Sequence, residues 1–300
     1  MNPPRGHAFA ILPAMFRAAS IALAERPRKL RPSSVRSEGR AGILKRIGPL
    51  ALMFAVTVCA QPTLAYADGL SDMKAALLRL KGGASIKAEV ESKTWSGQDV
   101  DKDTTEHEGL ISVTVEDNQR GFSVLLSKDL LTKLEAEERA KEQDKKAKTP
   151  TLAALGAASI TSLRPLVSAA TSIASMIEGT AFKAERMDSF DGKPVRMLSF
   201  EHGIDSLPEE GRKYVKKLSG LIDIWIAADG TPLASRKVLD LHGRAFLVAT
   251  FDSKDSDEKV YNVIGDRLVV VKHEHINTST ALGHKSESRD SKTVKIVNGI

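Results

Sequence analysis

The sequence predicts an α+β fold: a strongly curved antiparallel sheet, an open or half barrel, with helices packed on or inside its concave face. Three observations point there. Short stretches alternate apolar and polar residues with period two, the mark of strands with one face buried and one wet. Turn clusters separate them at near-regular intervals, which favours antiparallel neighbours over βαβ units. Apolar residues at helical spacing are confined to a few segments, chiefly residues 70–80 and 151–178.

Residues 70–80 read as a helix that Ser71 or Asp72 caps and Gly82-Gly83 stops. Ile86, Ala88 and Val90 then alternate with Lys87, Glu89 and Glu91 in a strand that ends near Trp95. Ile111, Val113 and Val115 form a second strand. The turn from Asp117 to Gly121 joins it to Phe122, Val124 and Leu126 as a hairpin.

The pattern changes at Leu130, Leu131 and Leu134, which open a helical stretch. Residues 135–148 are almost all charged or Ala, a solvated helix or linker, and Thr149-Pro150 breaks it. Residues 151–178 carry Leu152, Leu155, Ile160, Leu163, Leu166, Ala170, Ile173 and Ile177 at a three-to-four spacing. Arg164-Pro165 divides them, so two short helices or one kinked helix are expected. They read as a helix pair packed on a sheet, or as a mobile apolar lid or membrane-seeking hairpin. A charge and a proline at the middle disfavour a stable transmembrane span.

Strands return at 182–189 and 194–200 around Asp191-Gly192, a hairpin signal. Ser206-Leu207-Pro208-Glu209 looks like a helix start, with Tyr214, Val215 and Leu218 as its apolar side and Gly220 as its end. Ile222, Ile224 and Ile226 share one strand face, with Trp225 on the other. After the Asp229-Gly230-Thr231-Pro232 turn come strands at 234–241, 246–251, 260–264, 268–276 and 293–297.

The chain has 300 residues and a formal net charge of +6. Its hydrophobic content of 42% and charged content of 27% exclude collagen-like, wholly disordered and multi-span membrane classes. The positive charge sits in the first 67 residues, which hold ten basic and two acidic side chains. The remainder has 34 basic and 36 acidic, a net of −2. Nucleic-acid binding by that remainder lacks the basic face that phosphate contacts require.

Lys45-Arg46, the apolar run 47–58, Pro62 and then Ala65-Tyr66-Ala67 before Asp68 have the order of a secretory signal peptide cut after Ala67. The apolar run is shorter than the roughly 20 residues of a membrane span. This predicts a periplasmic or otherwise exported protein: signal peptide 43–67, then a single domain over 68–300 with a helical insertion at about 128–178. Residues 1–42 are basic and Pro-containing, either a long leader or a mis-assigned start. Cys59, the one cysteine, lies inside the apolar run, so the mature chain offers no thiol chemistry.

The order of elements, and the segment Ile224-Trp225-Ile226-Ala227-Ala228-Asp229-Gly230-Thr231-Pro232-Leu233 with its aromatic strand and Asp-Gly-x-Pro turn, resembles the Lol-type periplasmic lipoprotein carriers and their stress-sensor relatives. The resemblance implies an incompletely closed sheet that wraps helices and holds an acyl chain. No Arg-centred ligand motif carries over, and residues 135–178 look like an insertion relative to that group.

The candidate ligand-lining residues are those of the alternating apolar face: Ile86, Val90, Ile111, Val113, Phe122, Val124, Ile222, Ile224 and Ile226. The expected ligand is a lipid or an acylated protein, and no cofactor is expected. The alternative is an interaction or sensor module that contacts a protein partner through the charged 135–148 helix or a sheet edge. A metal-assisted hydrolase is a third class. His273 and His275 point the same way on a strand, but zinc asks for three or four ligands and no spacing supplies the rest. Asp252, Asp255, Asp257 and Glu258 read as a solvated turn, since their spacing departs from a calcium loop. No G-x-S-x-G, H-E-x-x-H or phosphate-cradling glycine loop occurs, so no residue is assigned a catalytic role.

Overall fold

The computed structural model describes residues 68–100, 103–207, 209–212, 214–245, 249–281 and 283–297. The leader, the signal segment with Ala65 and Ala67, and Cys59 lie outside them. Asp68 lies within, where its carboxylate accepts from the Leu70 amide at 3.2 Å and caps the first helix, α1 (Gly69–Arg79).

Among the described residues, ten strands make one antiparallel sheet. They are β1 (Ile86–Val100), β2 (Asp103–Asn118), β3 (Gly121–Leu125), β4 (Ala181–Phe190), β5 (Lys193–Gly203), β6 (Val215–Ile226), β7 (Pro232–Ala245), β8 (Ala249–Ile264), β9 (Arg267–Ala281) and β10 (His284–Ile296). Their spatial order is β3-β2-β1-β10-β9-β8-β7-β6-β5-β4, so the sheet is not closed into a barrel. The last strand pairs with the first. The consecutive strands β3 and β4 end up at opposite edges. The chain between them therefore has to cross the whole sheet.

That crossing is helical: α2 (Lys128–Gln143), α3 (Pro150–Ala157), α4 (Ile160–Val167) and α5 (Ala169–Glu178). α3 packs on β2 and β1, while α4 and α5 pack on β9. Leu163, Leu166 and Ile173 of these helices join Met73 and Leu77 of α1 and the apolar residues of the sheet in one core. Gly109 on β2 lets α3 come close: a Cβ there would stand 2.4 Å from the Pro150 carbonyl and 2.9 Å from the Ala154 methyl.

Ser127 caps α2, its Oγ accepting from the Leu130 amide at 3.1 Å. Only Leu130 and Leu134 of that helix are buried, and the charged remainder faces outward. One of those charges has a structural task. Both oxygens of Glu137 accept from the first amides of α3, Thr151 at 3.0 Å and Leu152 at 2.9 Å, which Thr149 leaves uncapped.

Three expectations are corrected. The 151–178 stretch forms three helices, and its breaks fall at Ser159 and Ser168 rather than at Pro165, which lies inside α4. The Ser159 hydroxyl accepts from the Ser162 amide at 3.3 Å and starts a new helix there, and α4 and α5 meet at 106°. The helix expected after Ser206 shrinks to a 3-10 turn and one helical turn, Glu209–Arg212. Residues 215–220 pair with β7 instead, and Gly220 is a packing glycine: a Cβ there would stand 2.4 Å from Leu239 Cδ2. The acidic turn expected at 252–258 is the middle of β8, paired on both sides.

Candidate functional site

Strand register decides what the central strands place together. Val90 of β1 faces Val294 of β10 in the apolar core. Two residues further along, on the same face, Ser92 faces Lys292, Lys292 faces His273, His273 faces Lys259, and Lys259 faces Ser235. The next row on that face is Thr94, Asp290, His275, Asp257 and Lys237. The face that carries the apolar core thus becomes charged along the strand direction, because side chains two residues apart share a face.

The charges pair diagonally. His273 Nε2 donates to Asp257 at 2.9 Å, and His275 Nε2 donates to Asp255 at 2.6 Å. Lys259 donates to the second oxygen of Asp257. His275 Nδ1 lies 3.6 Å from Asp290. Burial works against ionising Asp257, yet Lys259 and the His273 hydrogen bond hold its carboxyl well below the usual range. The hydrogen bond to Asp255 and then the contact with Asp290 raise His275 to about 9, so it is a cation at neutral pH. Burial lowers His273 below its ordinary value, so it is neutral there. With Nε2–H given to Asp257, its Nδ1 presents a bare lone pair.

Two polar atoms in the first row are left unsatisfied, on either side of Lys292. Ser92 Oγ and His273 Nδ1 are buried without a hydrogen-bond partner. Ser92 is 0% exposed and Lys292 is 4% exposed. Among the described residues the Lys292 ammonium has no hydrogen bond and no ion pair within 4.0 Å. Burial pulls its pKa down, with Asp290 and Asp257 opposing from further off. Such groups are rare because each forfeits its hydration. One step along the same strands lies a groove of about 630 Å³ whose lining includes Thr94, Gly109, Pro150, His275 and Asp290. Arg289, whose guanidinium stands 5.1 Å from the centre of the Trp95 ring, lines it too.

The expected ligand-lining residues flank these rows or pack in the core: Ile111 pairs with Ser92, Ile224 with Ser235 and Ile222 with Lys237. Ile86, Val90, Ile111, Val113, Ile222, Ile224 and Ile226 are buried in the core, and Phe122 and Val124 pack against it half-buried. None of the nine lines this groove or the smaller one of about 200 Å³ beside Ser96, His107 and Asn277. His273 and His275 share a face as expected, but each is bonded to its own aspartate. Among the described residues no group of three His, Cys, Asp or Glu side chains is placed to hold a metal ion. His202 is buried with both ring nitrogens unpartnered. Reading the sequence alone missed Lys292 and Ser92, which no local motif marks, and put Asp255 and Asp257 in a solvated turn where the structure has a strand. The one signal for the two aspartates is the run from Ser253 to Lys259, which has no apolar residue.

Comparison of the chain with known protein families, curated proteins and solved structures finds no match.

Proposed function

We propose that this chain is an exported, periplasmic binding protein that holds the acyl part of an amphipathic lipid, or of an acylated protein, against the apolar half of its sheet. In this reading the sheet is strongly curved and its concave face wraps the crossing helices, which act as the cover. The observation that carries the proposal is the change along one sheet face from the Val90–Val294 row to the Ser92–Lys292–His273 row. An amphipathic molecule has the same division. The cover consists of helices of 8, 8 and 10 residues, too short to persist alone and held by packing on the sheet. An acyl chain that replaces those contacts gains about 0.8 kcal/mol per buried methylene. Cleavage after Ala67 would leave the Asp68 cap of α1 in place.

Intact-mass measurement of the protein recovered from the exported fraction tests this. The expected result is a denatured mass that begins at Asp68 and a lipid adduct present only under native conditions. A mature mass with no adduct, and no displacement of a bound fluorescent fatty acid, would overturn the binding reading. A mass that retains Met1 would overturn the export reading.

One observation favours a second reading, a module that recruits a protein strand. β4 is an edge strand of ten residues that exposes Phe182 and Met187. Such an edge is a template for β-augmentation. Amide exchange along β4 should then slow when the partner is added, and unchanged exchange removes this reading.

A further inference from the structure

We propose that Ser92, Lys292 and His273 form a binding site for a singly protonated phosphate, the headgroup of the bound lipid. This rests on the acyl-binding reading and adds the headgroup to it. The three side chains are consecutive across β1, β10 and β9, on one face and at one level. The Ser92 hydroxyl and the His273 Nδ1 lone pair are buried without a partner, and the Lys292 ammonium between them has no ion pair within 4.0 Å. A ligand that satisfies all three must accept from Lys292 and Ser92 and donate to His273 Nδ1. A phosphate monoester carrying one proton does both, with its P–O⁻ oxygens as acceptors and its P–OH as donor. A carboxylate has no O–H to give, and an alcohol brings no charge to Lys292.

The charge balance of the surrounding network agrees. Asp257 is engaged by Lys259 and His273. Asp255 is engaged by His275, with Lys237 at 3.9 Å, and Asp290 faces His275. With His275 charged, four cations (Lys237, Lys259, Lys292 and His275) stand against these three carboxylates. Lys292 is the cation without a close counter-ion, so a monoanion completes the site. The geometry also gives the ligand a direction. A chain attached to a phosphate in this row meets Val90 and Val294 one step back along the strands. The groove beside Thr94, Asp290 and Pro150 lies one step forward.

Titration calorimetry on the protein from the exported fraction, delipidated, tests the site with dodecyl phosphate, dodecanol and inorganic phosphate. Dodecyl phosphate is expected to bind about tenfold or more tightly than dodecanol, the size of a lost charged hydrogen bond. Lys292→Met and Ser92→Ala should each shrink that ratio by weakening dodecyl phosphate more than dodecanol. Ser92→Ala keeps the test valid if the lysine variant does not fold. Equal binding of the two amphiphiles would overturn the headgroup site: the three polar atoms would then hold buried water only, and the acyl reading would stand. Binding of inorganic phosphate without either amphiphile would make the free ion the ligand and overturn the acyl reading. Binding of none of the three overturns both.

Discussion

Arg267 and Asp117 form a shielded ion pair where four parts of the chain converge. Nη1 of Arg267 lies 2.6 Å from Asp117 Oδ2 and 3.0 Å from the Val167 carbonyl. Nη2 donates to the Ala84 carbonyl at 2.8 Å. The first residue of β9 is thereby tied to β2, to the end of α4 and to the segment after α1. The arginine is 5% exposed, so its charge depends on these acceptors. The crossing helices are fixed to the sheet by a polar clamp as well as by apolar contact.

Breaking this pair should be costly. Asp117→Asn leaves a guanidinium buried without its counter-ion and is expected to destabilise by about 3 kcal/mol, the low end for an orphaned buried charge. Arg267→Met with Asp117→Asn should recover part of that loss, because no unpaired charge remains. Urea unfolding of the single and double variants measures both. A double variant less stable than Asp117→Asn would show that the Val167 and Ala84 bonds dominate.

The histidines give the fold opposite responses on the two sides of neutrality. His275 has a folded pKa of about 9 against an ordinary 6.5, set by its hydrogen bond to Asp255 and its contact with Asp290. The folded state therefore holds its proton more tightly than the unfolded state. The stabilisation is complete below pH 6.5 and is lost as pH rises through about 9. Burial lowers His273, so the unfolded state binds its proton more tightly, and stability falls as pH drops below the ordinary 6.5. Thermal melts across pH should decline both ways. His275→Gln should remove the alkaline decline and leave the acid one, and an unchanged alkaline limb would contradict the Asp255–His275–Asp290 geometry.

What the sequence disclosed divides along physical lines. The first helix, the Asp191-Gly192 hairpin and the Ile222, Ile224 and Ile226 face were legible because short-range periodicity and turn chemistry determine them. Both turn residues stand at positive φ as that hairpin requires. β8 was not legible at its centre. Ser253 to Lys259 has no apolar residue, and its strand state depends on neighbours that local patterning cannot name. Lys292 looks like any surface lysine until register sets it between Ser92 and His273. The helix breaks were misplaced for a related reason: Pro165 is the obvious local breaker, yet the side-chain cap of Ser159 sets one of the boundaries. The nine residues read as one apolar face pack in or against the core, and periodicity alone does not say whether such a face serves only as a floor under helices or also takes a ligand.

The unpaired ammonium of Lys292 makes a stability prediction independent of any ligand. A buried cation without a close partner lowers stability, and an apolar side chain of similar length removes that cost. Lys292→Met should therefore stabilise the ligand-free protein by about 1–2 kcal/mol, as residues kept for a function often do when replaced. Chemical unfolding of the delipidated protein reads this out. A destabilised variant would mean that the lysine is satisfied in the free protein and has no need of an anion.

The Glu137 cap links the charged helix to the cover. Its two oxygens supply the acceptors that the first turn of α3 lacks, at 3.0 and 2.9 Å, across the 144–149 connection. Those bonds also help to hold the carboxyl below its usual pKa against the opposing effect of burial. Glu137→Ala should cost about 1 kcal/mol, the typical value of a lost cap. The effect should be local, with exchange of the Thr151 and Leu152 amides accelerating while β9 amides hold their protection. Glu137→Gln keeps one acceptor oxygen and should fall between. If the helices are the cover of an acyl site, a looser α3 also speeds release of a bound fluorescent fatty acid, with little change for Glu135→Ala, whose carboxylate is exposed and contacts Arg139 on the same helix. Faster amide exchange without faster release would place the route into the site away from α3.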